Sequence, residues 1–284
     1  MTKVNPVVRT VRWTGALLAM LALTSHAASD GAQACVKQYQ PQSGQPGKDV
    51  VWMPTNDRLT TSMLAMAAVK SSDLVYDLGA GDGKIAIAAA RDFGARAVGV
   101  EYNPDMAQLA KCLVQAAGLA DRVRIIQGDI FETDFSEATV LTLYLLPELN
   151  LRLRPTILAM KPGTRVVSHS FLMDDWHPDE RSSNEDGQAY MWIVPAKAAG
   201  TWRFEPKVAG GEAFTLELDQ TFQEVRGSAG PDITVTGRLS GDQLRLTFAA
   251  NAPITSVEAR INKDTMDARV TRGGKSIEYV GKRS

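Results

Sequence analysis

The stretch DLVYDLGAGDGKIAIAAA, residues Asp73 to Ala90, decides the fold. LVYDL is an apolar run of strand length and GKIAIAAARDF has the composition of a helix. Gly79, Gly81 and Gly83 stand between them in G-x-G-x-G spacing. Outward from this unit the alternation repeats. ARAVGVEY reads as a second strand. Asn103 caps a helix with Pro104 in its first turn and Met106, Leu109, Leu113 and Ala117 as its apolar stripe, which Gly118 ends. RVRIIQGDI and ATVLTLYLL follow as strands, the second apolar enough to be buried on both faces. A helical segment from Pro147 to Met160, with a break expected at Pro155, leads to the strand TRVVSHS. Upstream, Asn56 to Lys70 places Leu59, Met63 and Met66 at helical spacing. This alternation predicts right-handed crossovers and a doubly wound, mostly parallel α/β sheet, whose ligands sit at the carboxyl ends of its strands.

Beyond Pro195 the period changes to two. FTLELDQTF, ITVTGRLSGDQLRLTF, SVEARI and MDARVTR alternate apolar and polar residues between SGD, NKD and RGG turn signals. Residues 196–284 therefore read as a C-terminal antiparallel β-rich domain, a small sandwich or a partial barrel.

The glycine loop alone does not identify its ligand. A dinucleotide would place a pyrophosphate at the helix N-terminus, where negative charge is favoured. Here Asp77 ends the first strand and Asp82 lies within the loop, so two carboxylates would oppose it. That disfavours a nicotinamide-dependent oxidoreductase and suits a ligand carrying an ammonium and a sulfonium, S-adenosylmethionine. Glu101 closes the second strand, 24 residues after Asp77, where an acid can accept from ribose hydroxyls. Asp129 ends the third strand and can accept from the adenine amino group, with Ile130 against the ring. Each acid on its own is an ordinary exposed strand end; three on successive strands converge on one crevice.

The N-terminus has a different character. Lys3, Arg9 and Arg12 precede an apolar core from Gly15 to Leu23, which ends in Ser-His-Ala. This order predicts a signal peptide over residues 1–27 and an exported protein, periplasmic or envelope-associated. The core is short for a permanent span, so no stable membrane span is expected after cleavage; an uncleaved anchor or a misassigned start are the alternatives. Cleavage leaves 28 of the 31 basic residues against 32 acidic ones. The net charge of −1 for the whole chain gives no electrostatic reason to expect a nucleic acid. Residues 28–50, rich in Gln, Gly, Ser and Pro, read as a linker. A bridge between Cys35 and Cys112 is compatible with export, while Cys112 within an amphipathic helix reads as a buried small apolar residue.

DLGAGDGK, GVEYNP and GDI together resemble the class I S-adenosylmethionine-dependent methyltransferases, over about residues 50 to 195. Val50 to Leu64, the glycine loop and AVGVEYNP are similar to the small protein-lysine methyltransferases of the ATP synthase c-subunit and the adenine nucleotide translocase. The match runs through Met53-Pro54-Thr55, Gly79 to Lys84 and Glu101 to Pro104. It implies a methyltransferase domain over residues 51–195 with S-adenosyl-L-methionine as cofactor. Thr55 would face the methionine end, Asp77, Gly79 and Gly81 would lie beneath it, Glu101 would hold the ribose and Asp129 the adenine, with Asn103 also among the cofactor-binding residues. It also implies a protein lysine as methyl acceptor. The alternative function is an exported, non-catalytic binding or envelope protein that retains a methyltransferase-like domain.

The fourth strand ends Tyr144-Leu145-Leu146-Pro147-Glu148, without the Asn/Asp-Pro-Pro-Tyr of enzymes acting on nucleobases and glutamine. Glu148 is the candidate catalytic residue, able to orient an ammonium; it reads equally as a helix N-terminal acid. His169 to Glu180 is a candidate cover for the crevice. In it Phe171 and Trp176 are either packing residues or walls for a cationic side chain, and His169 and His177 are candidate bases. No metal-ligand spacing surrounds either histidine.

Overall fold

The computed structural model describes residues 29–250 and 252–284. The signal peptide expected over residues 1–27 lies outside the described residues. A helix over residues 29–39, α1, opens the described chain. Next come α2 (Asp57–Met66), β1 (Leu74–Leu78), α3 (Lys84–Phe93), β2 (Arg96–Glu101), α4 (Pro104–Ala116) and β3 (Val123–Gln127). The α/β part closes with β4 (Val140–Leu143), α5 (Pro147–Leu158), β5 (Arg165–His169), β6 (Glu180–Asn184) and β7 (Gly187–Ile193).

The seven strands form one sheet in the order β3-β2-β1-β4-β5-β7-β6. β3, β2, β1, β4 and β5 run parallel, and β7 is antiparallel to both β5 and β6. The sequence pattern explains the centre: every residue of β1 and of β4 is buried, as expected for strands covered by helices on both faces. Each fully buried Val or Leu there contributes about 1.5–3 kcal/mol. Local signals set the helix starts. The Asn56 side chain accepts from the Leu59 amide, and Asn103 accepts from Asp105 and Met106. The helix α5 runs through Pro155 without the expected break.

One expectation needs correction. Residues 28–50 are not simply a linker. Helix α1 packs on α4, where Cys35 and Cys112 form a disulfide, and residues 44–52 fold back as a small hairpin. Its rungs run from Gly44 N to Trp52 O (2.8 Å) and from Trp52 N to Gln45 O (2.9 Å). The Gln and Gly content masked a helix whose stability comes from its tether and from packing, not from propensity. Cys112 is accordingly a bridging cysteine rather than a lone buried one.

Of the two readings of Trp176, the structure shows packing. The side chain is fully buried, and its Nε1 donates to Gln223 Oε1 at 2.9 Å. Gln223 Nε2 in turn donates to the His177 carbonyl at 2.6 Å. An indole of this size needs both a core and a partner for its N–H: it finds the core in the α/β domain, beside Leu149 and Trp192, and the partner in the C-terminal domain. Trp176 therefore cannot wall a crevice, and the loop around it ties the two domains together.

The C-terminal domain consists of β8 (Gly200–Pro206), β9 (Phe214–Thr221), β10 (Glu224–Ser228), β11 (Thr234–Ser240), β12 (Gln243–Phe248), β13 (Ile254–Asn262), β14 (Thr265–Arg272) and β15 (Lys275–Arg283). Consecutive strands pair antiparallel and β15 closes on β8, so the barrel has no free edge. Trp202, Phe204, Leu216, Leu246, Val257 and Tyr279 are among the side chains that fill its interior. Among the described residues no helix is long and apolar enough to cross a membrane.

Candidate functional site

The strand order places the ends of β1, β2 and β3 side by side, and one crevice opens there. Asp77, Gly79, Glu101, Asn103 and Asp129 line it, joined by Thr55 from the segment before α2. Gly81 does not line the crevice directly. The Trp52 indole covers it, so closely that a β-carbon on Gly81 would lie 2.4 Å from Trp52 Nε1. Gly81 also has φ +54, which side chains rarely adopt. Glu148 stands apart: it is exposed in the first turn of α5, where an acid complements the helix dipole, and is not among the crevice-lining residues.

Glu101 is held by two backbone donors. Gly81 N donates to its Oε2 and Asn103 N to its Oε1, both at 2.8 Å. The carboxylate thus cross-links the glycine loop to the α4 cap, and its remaining lone pairs face the crevice. Asp77 is buried and accepts from Thr142 Oγ1 at 2.7 Å. Burial, with Asp82 and Glu101 nearby, pushes its carboxyl up to about 7. Asp82 is also raised, chiefly by burial. Asp129 is lowered because the Lys48 ammonium, at the tip of the hairpin, pairs with it; Phe131 N also donates to it at 2.9 Å. Lys48 lies 5.0 Å from the centre of the Tyr102 ring.

At the other end, Thr55 Oγ1 and His169 Nδ1 share a hydrogen bond of 3.1 Å. Tyr144, which lines the crevice, stacks on His169 with ring centres 3.8 Å apart, and Phe171 continues the stack at 6.2 Å from Tyr144. Burial lowers the His169 pKa, so the imidazole is neutral at physiological pH. Sequence reasoning named His169 and Phe171, which stack behind Tyr144 without lining the crevice, and missed Lys48, Trp52 and Tyr144, which do line it. Lys48 and Trp52 fall in or beside the stretch read as linker, and only the hairpin brings them over the strand ends.

The residues present fit S-adenosylmethionine. Bare main chain at the glycine loop, a buried carboxyl beneath it and acids at the next two strand ends match a cationic nucleoside better than a pyrophosphate. A protein-family model, the ANTKMT methyltransferase domain, matches residues 77–180. A protein-lysine N-methyltransferase of Saccharolobus islandicus is 42% identical over 151 residues, which are 51% of this chain and 94% of the relative. The lysine N-methyltransferase of the ATP synthase c-subunit from Mus musculus is 27% identical over 148 residues, 52% of this chain and 58% of that protein. Among solved structures, an RNA methyltransferase from Salinibacter ruber in complex with S-adenosyl-L-homocysteine is 48% identical at a TM-score of 0.50, over 51% of this chain and 95% of that one. Identity along nearly the whole of such a relative goes well beyond shared motifs: the chain belongs to the S-adenosylmethionine-dependent methyltransferases.

Proposed function

We propose that this methyltransferase acts on lysine side chains of a polypeptide and works in an exported, oxidising compartment. The observation that carries the acceptor class is the mouth of the crevice. Tyr144 lines it beside Thr55, and His169 and Phe171 stack behind Tyr144. Val51 of the hairpin and Met53 after it line the crevice with exposed apolar side chains, and Leu146 and Leu172 are exposed three residues beyond the ends of β4 and β5. An apolar, aromatic mouth suits a polypeptide segment and its aliphatic lysine stem better than a phosphate backbone. The relatives that act on protein lysine support the same class.

In the proposed binding mode Asp77 lies beneath the methionine part, Glu101 accepts from the ribose and Asp129 from the adenine amino group, which takes the place of Lys48. The cofactor, when bound, supplies a methyl group already activated by a sulfonium. The chain's task is then alignment and desolvation. Neutral His169, stacked behind Tyr144, adds no fixed positive charge beside the crevice. The apolar rim lowers the pKa of an entering lysine, so that it attacks as the free amine. Glu148, in the proposed role, would meet the ammonium from outside the crevice rather than within it.

Export is supported by the order of charged, apolar and small residues before residue 28 and by the Cys35–Cys112 disulfide, a type of cross-link that persists outside reducing compartments. A fusion of residues 1–40 to a reporter active only outside the cytoplasm tests it; an inactive reporter would refute it.

The Salinibacter relative's description favours a second reading, methylation of RNA. Incubating the protein with methyl-labelled cofactor and a cell lysate decides between the two. Label that is removed by protease, survives ribonuclease and is recovered as methyllysine is the expected result. Label removed by ribonuclease instead would establish the second reading and overturn the first.

A further inference from the structure

The cofactor is not only a cation: its methionine end also carries a carboxylate, and the crevice is poor in partners for one. Asp49, Asp77, Asp82, Glu101 and Asp129 line the crevice, against two cations among the described residues, Lys48 and Lys84. Lys48 sits at the far end, between Asp129 and the Tyr102 ring. Lys84 stands at the start of α3, directly after the glycine loop, and its Nζ lies 2.9 Å from Asp57 Oδ1. Asp57 is two residues beyond Thr55, so this pair marks the Thr55 end of the crevice.

We infer that Lys84 is the residue that binds the carboxylate of the cofactor, and that it thereby selects amino-acid-bearing sulfur nucleosides over those without the amino-acid tail. The inference rests on the cofactor reading above. Its physical basis is the local charge. A carboxylate brought beside Asp77 and Asp82 without a counter-cation would be repelled. Lys84 is the crevice cation at that end. Its present partner is a weak competitor, because the Asp57 side chain is 87% exposed and such a pair contributes little. A ligand carboxylate that reaches the Lys84 ammonium from the crevice side can displace Asp57, at the cost of one solvated ion pair. Inside the crevice the replacement is less screened by water and salt, so it is the stronger pair.

The test compares two ligands and three proteins by equilibrium titration. S-adenosylhomocysteine carries the carboxylate; 5′-methylthioadenosine keeps the nucleoside and sulfur but lacks the amino-acid tail. Lys84→Met should weaken S-adenosylhomocysteine binding by about tenfold or more, the loss typical of one charged hydrogen bond, and leave methylthioadenosine affinity within about twofold. Lys84→Arg should restore most of the difference, which also shows that the position tolerates substitution. Equal loss for both ligands, or loss for neither, would overturn the role assigned to Lys84. A wild-type protein that binds neither ligand would overturn the cofactor reading itself, and this inference with it.

Discussion

Replacing Cys35 and Cys112 by serine should destabilise the α/β domain by about 4.5 kcal/mol. The bridge closes a loop across a sequence separation of 77, and the chain-entropy relation gives this value for a loop of that length. At about 2–4 °C per kcal/mol for a domain of this size, the melting temperature should fall by roughly 9–18 °C. The structural consequence should be concentrated at the crevice. The disulfide holds α1 on α4, α1 leads into the hairpin, and Trp52 packs both in the cluster around Cys35, Met106 and Leu109 and over Gly81. Loss of the tether therefore loosens the segment that supplies Lys48, Trp52 and Thr55 to the site. Calorimetric melting of oxidised wild type and the double-serine variant measures the first effect, and titration with S-adenosylhomocysteine the second. A melting temperature within about 3 °C of wild type, with the native bridge verified by thiol alkylation and mass, would refute the reasoning. So would two free thiols in protein purified under oxidising conditions.

Cofactor affinity should depend on pH through Asp77. In the unbound protein its carboxyl titrates at about 7, against an ordinary 3.8, so the fold retains a proton that the unfolded chain has lost between these values. Stability of the unbound protein should therefore fall as pH rises from about 4 to 7 and level off above. A cationic ligand favours the ionised form, so affinity should rise from pH 6 to 8 with release of a proton; calorimetry in buffers of different ionisation enthalpy measures it, and Asp77→Asn should abolish it. Glu101→Gln should weaken S-adenosylhomocysteine binding by about ten- to hundredfold, because an amide oxygen cannot replace both acceptors for Gly81 and Asn103 and the ribose as well; unchanged affinity in a titration would refute this. Gly81→Ala introduces a β-carbon into the Trp52 indole at a left-handed φ and should cost at least about 1–2 kcal/mol in urea unfolding, with a change in Trp52 fluorescence. Gln223→Ala leaves the Trp176 indole N–H and the His177 carbonyl without partners, and should cost about 1–3 kcal/mol, read as earlier separation of the barrel and α/β transitions.

The amino-acid sequence by itself determined the periodic and the local: a period near 3.6 alternating with apolar strands, a period of two after Pro195, the Asn56 and Asn103 caps, and acids at the ends of β1, β2 and β3. These are legible because burial on a sheet or helix imposes a fixed spacing, and because a cap or glycine turn needs a particular residue at one position. The tertiary structure decided what depends on residues far apart in the chain. Helix α1 in a Gln- and Gly-rich stretch, the hairpin that carries Lys48 to Asp129, the Thr55–His169–Tyr144 contact and the burial of Trp176 against Gln223 are all of this kind. β6 and β7 pair through a local hairpin, yet the sheet edge on which they dock was not apparent from their own residues. Closure of the barrel rather than a sandwich rests likewise on β15 meeting β8, across the whole domain. A contact between distant residues leaves no period in either segment, so only the assembled sheet, tether and barrel could bring these groups together.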